Sequence, residues 1–290
     1  MVYKAVFLYG RKNTMERYGL IGHPVGHSKS PAMQEAGFQA LGIEARYELI
    51  DAEPTKLADV FQAMRKTHRG WNVTIPHKEA AVGLVDEIDD VARKLGSVNT
   101  VVNDGGRLKG FSTDGYGLEV ALKEAFGFGF DGKRVCFLGT GGAARATAVY
   151  AALHGASRLL LVNRTLERAE RLAEGVRAVG GTADVLALDA TAAIAAALPA
   201  MDVLVQCTSL GLKADDPLPF PVELLPEGLP VMDMVYGRSR FRKLAGEAGH
   251  PNADGRGMLL HQGCRSFTLW TGREAPVEAM REALAHSMGQ

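Results

Sequence analysis

Between Val135 and Leu153 the chain passes from an apolar run, Val135-Cys136-Phe137-Leu138, through Gly139-Thr140-Gly141-Gly142-Ala143-Ala144 into an alanine-rich stretch. Strand, glycine turn and helix in that order, with G-x-G-x-x-A spacing, make a cradle for the pyrophosphate of a dinucleotide. Gly139 permits the tight turn, and Gly141 lets the backbone approach the anion with no side chain in the way. Gly142 and Ala143 open the helix, whose free N–H groups face the negative charge, and the small Ala144 lets helix and strand pack closely. Glycine turns before helices also serve packing alone, so the reading depends on what surrounds the loop. About 20 residues past the glycines, an NAD site places a carboxylate that accepts from the ribose 2′-hydroxyl. Here Asn163-Arg164-Thr165 stands in that place, with Arg168 one turn on and no carboxylate before Glu167. Two guanidinium groups can bond a 2′-phosphate, and the Arg164 plane can stack on adenine. Cations at a helix start are otherwise mildly unfavourable. The pair therefore points to NADP.

The elements that must position this loop follow from pattern. Arg158 to Val162, Ala183 to Leu188, Val203 to Gln206 and Val231 to Met234 read as strands, with helices between some of them, Leu166 to Val179 being amphipathic. Alternation of this kind implies a parallel, doubly wound sheet. Before the loop, Tyr18 to Gly22, Arg46 to Ile50, Trp71 to Ile75 and Val98 to Val102 read as strands. Helices are expected from Ser30 to about Leu41, with Ser30 as N-cap and Pro31 at the first position, from Pro54 to about Lys66, and over Asp89 to Leu95. Residues 111 to 115 read as a turn, and Tyr116 to Phe126 as the long helix that marks the first domain boundary. Gly257 to Trp270 and Pro276 to Ala285 close the chain as helices. The fold class is α/β, in two α/β domains.

Lysine plus arginine and aspartate plus glutamate number 33 each, so net charge gives no pull toward nucleic acid or an anionic membrane. No apolar run approaches the roughly 18–20 residues of a membrane helix. Three distant cysteines suit neither a disulfide framework nor a zinc site and suggest a reducing compartment, hence a cytoplasmic protein. No metal spacing is present among the histidines. Residues 1–14 read as an extension to which no function is assigned.

Several blocks resemble one family in its own order. They are Ser28-Lys29-Ser30-Pro31, Asn72-Val73-Thr74-Ile75-Pro76-His77-Lys78, Gly96-Ser97-Val98-Asn99-Thr100, Thr113-Asp114-Gly115, Asn163-Arg164-Thr165, and Asn252 to Met258. The chain from about Arg17 onward is similar to the shikimate dehydrogenases. The resemblance implies NADP-dependent, reversible reduction of 3-dehydroshikimate to shikimate. It implies a split substrate domain, residues 15–113 plus 258–290, and a Rossmann-like NADP-binding domain, residues 114–257. Ser28 and Ser30 match contacts to the substrate carboxylate. Asn72, Thr74 and Asn99 match contacts to ring hydroxyls. Gln262 matches a glutamine that closes the pocket, and Tyr236 a tyrosine near the substrate. Lys78 matches the proton-transfer group and Asp114 the carboxylate that orients it and bonds a ring hydroxyl. Thr208, Gly257 and Met258 fall on the nicotinamide side. An ammonium suits the task, because reducing a ketone requires a proton on oxygen as hydride reaches carbon. An ion pair with no catalytic duty is the competing reading of Lys78 and Asp114.

The chain also departs from the family's usual pattern. Ser112 stands where asparagine is common, Thr140 where alanine is usual, and Gln206-Cys207 where asparagine and a small residue are usual. The first bears on substrate preference, and the last on the nicotinamide-side contacts. A relative that accepts quinate or another shikimate-like acid, with relaxed substrate or NAD use, and a sensor that binds shikimate without turnover, are the alternatives. A monomer or homodimer is expected.

Overall fold

In the computed structural model, residues 15–211, 215–237 and 239–289 are described; the expected extension, residues 1–14, lies outside them. The chain divides into two compact units, Met1–Thr113 with Gly263–Gln290, and Asp114–Gln262.

The first unit contains β1 (Glu16–Gly22), α1 (Ser30–Ala40), β2 (Ala45–Asp51), α2 (Leu57–Thr67), β3 (Gly70–Val73), β4 (Glu87–Ile88), α3 (Asp90–Leu95), β5 (Thr100–Asp104) and β6 (Arg107–Phe111). Its six-stranded sheet has the order β2-β1-β3-β5-β6-β4. Strand β1 runs parallel to β2 and β3, while β5 is antiparallel to both β3 and β6. Strands β4 and β6 are absent from the sequence reading. Gly105 and Gly106, at φ 58° and 101°, form the two-residue turn that folds β6 back on β5, a geometry that suits glycine at both places. Ile21, Trp71, Val73, Val98, Val101 and Leu108 are fully or almost fully buried in this unit's core. Each such side chain contributes about 1.5–3 kcal/mol by leaving water.

The second unit begins at α4 (Asp114–Phe126), two residues before its sequence-predicted start. It continues through β7 (Arg134–Leu138), α5 (Gly142–Leu153), β8 (Arg158–Asn163), α6 (Leu166–Ala178), β9 (Ala183–Ala187), α7 (Thr191–Ala197), β10 (Val203–Gln206), β11 (Val231–Asp233), α8 (Arg240–Glu247) and β12 (Asn252–Asp254). Helix α9 (Arg256–Thr271) carries the chain past the unit boundary, and α10 (Val277–Ser287) ends it. All five strand pairings in this second sheet are parallel, in the order β12-β11-β10-β7-β8-β9. The run Leu159-Leu160-Leu161-Val162 is buried throughout, as a parallel strand covered on both faces requires. From β7 the chain moves outward to β8 and β9, then returns to β10 on the other side of β7. That reversal is a topological switch point, and ligands of doubly wound sheets bind beyond the strand ends there. The Gly139 loop lies at the end of β7.

Among the described residues no helix is long and apolar enough to cross a membrane, and no group of three or more His, Cys, Asp or Glu side chains could hold a metal ion. Cys136 and Cys264 are buried and Cys207 half-buried, all as free thiols; burial pushes Cys136 up to about 12.

Candidate active site

In the first unit, the parallel strands β1 and β3 deliver two loops side by side. His23 N–H donates to the Ile75 carbonyl at 3.1 Å, and Thr74 N–H to Ile21 at 2.8 Å. A Cβ on Gly22 would lie 2.5 Å from Thr74 Cγ2, so the loops meet this closely only over a glycine. One loop carries Ser28 and Ser30, the other Thr74 and Lys78. Helix α1 starts with Ser30 as its first residue, not as the expected N-cap. The side-chain oxygen at the helix start is supplied by Ser28, whose Oγ accepts the Ser30 N–H at 3.2 Å. Ser30 is buried; Ser28, Thr74 and Lys78 are half-buried. The Lys78 carbonyl accepts from Val98 N–H at 2.9 Å, which ties the lysine's backbone to the segment leading to Asn99.

The same unit holds a buried polar network. Tyr47 Oη donates to Asn72 Oδ1 at 2.7 Å, and burial pushes this phenol well above its usual range. Asn72 Nδ2 faces the Asn99 carbonyl at 3.0 Å, Thr100 Oγ1 at 3.0 Å and Ser266 Oγ at 2.9 Å. Asn99 Oδ1 accepts the Thr113 N–H at 2.8 Å, while its Nδ2 donates to Thr113 Oγ1 at 2.9 Å. Thr100 and Ser266 hydroxyls are 2.8 Å apart. Donors and acceptors matched in this way have one preferred arrangement, because an unpaired buried polar atom costs about 1–3 kcal/mol. Tyr47, Thr100, Thr113 and Ser266 were not singled out from sequence. Ser266 has no exposed surface, and no local sequence pattern marks it. Ser112 Oγ is buried and has no hydrogen-bond partner among the described residues.

In the second unit, Asp114 is the first residue of α4 and is 4 % exposed. Helix α4 packs tightly on the start of α9. A Cβ on Gly117 would sit 2.7 Å from the Met258 carbonyl and 2.8 Å from Gln262, and one on Gly257 would sit 3.1 Å from Ala121 Cβ. Asp114, Gly257, Met258 and Gln262 thus belong to one pair of crossed helices. Gln262 Nε2 donates to the Leu259 carbonyl at 2.8 Å. Tyr236, after β11, is 41 % exposed.

The glycine loop follows β7 as expected. Gly139 has φ +93°, and a Cβ there would lie 2.9 Å from both Thr208 N and Cγ2, so no other residue suits the position. Around Gly141 and Gly142 a Cβ would meet nothing within 4 Å, leaving the backbone open to a ligand. Helix α5 starts at Gly142 with no side-chain cap and no acidic residue in its first turn. Ala143 is half-buried and Ala144 fully buried. Asn163 bridges two segments: its Oδ1 accepts from Thr140 N at 3.3 Å and its Nδ2 donates to the Thr165 carbonyl at 2.8 Å. Arg164, Thr165 and Arg168 are exposed around the start of α6, and neither arginine has an ion-pair partner among the described residues. An uncapped helix start, bare glycines and two cations fit a dinucleotide that carries an extra phosphate.

Comparison with known proteins gives this arrangement its relatives. Residues 20–101 match the shikimate dehydrogenase substrate binding domain, residues 120–212 the shikimate / quinate 5-dehydrogenase family, and residues 255–285 the shikimate 5′-dehydrogenase C-terminal domain. Shikimate dehydrogenase (NADP(+)) of Methanopyrus kandleri is 44% identical over 272 residues, covering 92% of this chain and 93% of the relative. Shikimate 5-dehydrogenase of Listeria monocytogenes, solved in complex with shikimate and NAD, is 34% identical at a TM-score of 0.89, covering 94% of this chain and 97% of that one. The Thermus thermophilus enzyme, solved with NADP(H) and shikimate, is 36% identical at a TM-score of 0.83, covering 94% of this chain and 100% of that one. With two α/β units, a switch-point glycine loop and this likeness along nearly its whole length, the chain belongs to the shikimate dehydrogenase family.

Proposed function

We propose that the protein interconverts 3-dehydroshikimate and shikimate with NADP(H). When bound, NADPH supplies hydride to the carbonyl carbon, and the chain's own residues do the rest. Lys78 Nζ gives a proton to the carbonyl oxygen in reduction and takes it back in oxidation. Asp114 orients that ammonium and accepts from a ring hydroxyl. Ser28 and Ser30 hold the substrate carboxylate at the start of α1, where the helix dipole favours an anion. Thr74, Asn72, Asn99 and Gln262 read the ring hydroxyls, and Tyr236 takes part in substrate binding. The hydrogen bonds that already fix Asn72 and Asn99 make the polar floor rigid, so it need not reorder when substrate arrives.

Gly139, Gly141, Gly142, Ala143 and Ala144 cradle the pyrophosphate. Asn163, Arg164, Thr165 and Arg168 take the adenosine end and its 2′-phosphate, and Thr208, Gly257 and Met258 the nicotinamide side. Residues 15–113 with 258–290 form the substrate domain, and residues 114–257 the NADP domain. The protein works as a monomer or homodimer; the equal charge counts support small-molecule partners without nucleic acid, and the few cysteines support the cytoplasm.

The observation that carries the cofactor half of this reading is the open glycine loop at the switch point, followed by Arg164 and Arg168 in place of a carboxylate. The test is direct: shikimate and NADP+ mixed with purified protein should produce NADPH. Binding of shikimate without NADPH formation would favour a sensor instead.

A further inference from the structure

We propose that Gln206 and Asp233 form a positioning pair that sets the loop 207–211 on the cofactor side of the switch point. The inference rests on the dinucleotide reading above and adds residues that reading leaves without a role. Gln206 ends β10, level with Leu138 at the end of β7 on one side and Asp233 at the end of β11 on the other. None of the three has exposed surface. The Gln206 amide binds in two directions. Its Oε1 accepts the Thr208 N–H in a short bond, while its Nε2 donates to the Leu210 carbonyl at 3.0 Å and lies 3.4 Å from Asp233 Oδ1. Asp233 Oδ1 also accepts the Val235 N–H at 2.9 Å, and Oδ2 accepts from Ser239 Oγ at 2.5 Å.

A carboxylate has no hydrogen to give, so Asp233 permits only one sense of the neighbouring amide, NH2 toward itself and oxygen toward Thr208. The loop is then held at three points. Cys207 N–H reaches the Leu138 carbonyl at 2.7 Å, the amide holds Thr208 and Leu210, and Leu210 N–H closes on Thr208 Oγ1 at 3.1 Å. Thr208 is also the residue against Gly139, with its N and Cγ2 each 2.9 Å from where a Cβ would stand. The sense of one buried amide thereby fixes the residue that borders the pyrophosphate turn. Burial raises the Asp233 carboxyl above its ordinary 3.8, against the pull of Ser239 and Val235. The Arg242 charge pulls the Asp233 carboxyl down and the Asp254 carboxylate pushes it up, so a carboxylate kept in so buried a place suits a group retained for the orientation it imposes.

The test uses full-length protein and three readouts: NADP+ affinity by titration without substrate, the KM for each reactant, and the melting temperature. Gln206→Leu keeps the approximate volume and removes the amide. It should weaken NADP+ binding roughly 5- to 100-fold, the range for deleting a buried hydrogen-bonding partner, with the shikimate KM within about twofold of wild type. Asp233→Asn should weaken it less and in the same direction. Gln206→Asn, which keeps the amide, should retain most of the affinity that Gln206→Leu loses. If Gln206→Leu does not fold, the Asp233→Asn and Gln206→Asn comparison decides. Equal changes in both KM values, a lower melting temperature with unchanged NADP+ affinity, or a Gln206→Asn loss as large as that of Gln206→Leu would overturn the proposal. Wild-type protein that fails to turn over shikimate with NADP+ would overturn the function itself, a distinct outcome.

Discussion

The two units differ in how their proposed sites are built. In the first, side chains make the site: Asn72 and Asn99 are held by Tyr47, Thr100, Thr113 and Ser266, and the serine and lysine loops belong to the same unit. In the second, the backbone itself forms the cradle, with Gly139 at positive φ, Gly141 and Gly142 bare, and the start of α5 uncapped. Side chains can be exchanged to read a different pattern of hydroxyls. A backbone cradle reads only a phosphate, and at Gly139 the protein itself leaves no room for an added atom. On the proposed assignment, substrate choice is the adjustable property of this chain and dinucleotide binding the fixed one, apart from Arg164 and Arg168, the residues proposed to select the extra phosphate.

The sharpest way to break that contrast is to remove Lys78, the proposed proton donor. Lys78→Ala should lower turnover by about 10²–10⁴, the range for a general acid–base group, with a smaller effect on shikimate KM and none on NADP+ affinity. Near-normal turnover would remove Lys78 from the mechanism. Next in size is Gly139→Ala, which forces a side chain into positive φ and against Thr208. NADP+ affinity should fall on the order of 10- to 100-fold, from about 1–3 kcal/mol of strain, while shikimate binding measured without cofactor stays unchanged. Unchanged NADP+ affinity would mean that the loop is a packing turn. Arg164→Ala with Arg168→Ala should cost roughly tenfold or more in NADP+ KM, as expected for lost charged hydrogen bonds, and leave the NAD+ KM nearly unaltered. Parallel losses with both cofactors would contradict the assignment to the 2′-phosphate.

The smallest effect concerns pH and the first unit's stability. Burial, then the Arg17 charge, holds His68 below its ordinary 6.5, against the pull of Glu48. The unfolded chain therefore binds a proton that the folded chain refuses between that lowered value and 6.5. Stability should rise with pH through this window and be lost as pH falls through it. Thermal melts across the window should show that slope, and His68→Gln should flatten it; an unchanged slope would assign it to other groups.

Much of the second unit was legible in the sequence. Strands β7, β8 and β10 are short apolar runs bounded by turn residues, and burial on both faces leaves their composition little freedom. β10 spans Val203–Gln206, as read from the residues. Strand β12 was not legible, because Asn252-Ala253-Asp254 has no apolar pattern and pairs only through its backbone with β11. The hairpin of β5 and β6 was signalled by Gly105-Gly106, but Arg107 and Lys109 alternate with Leu108 and Gly110 too weakly to mark a strand. The polar floor was hidden for another reason. Asn72 and Ser266 are 194 positions apart, and no local pattern announces that a strand amide and a helix hydroxyl will share a proton. At α1 the N-cap position falls on Lys29 and not on Ser30, and Ser28 Oγ accepts the first helical N–H, because either serine could supply the oxygen and only loop geometry decides between them.

The most direct test of the central claim is a comparison of initial rates with shikimate and quinate, each with NADP+ and NAD+. The arginines after β8 and the retained lysine loop predict the highest kcat/KM for shikimate with NADP+. A higher value for quinate with NAD+ would contradict both the substrate and the cofactor assignment.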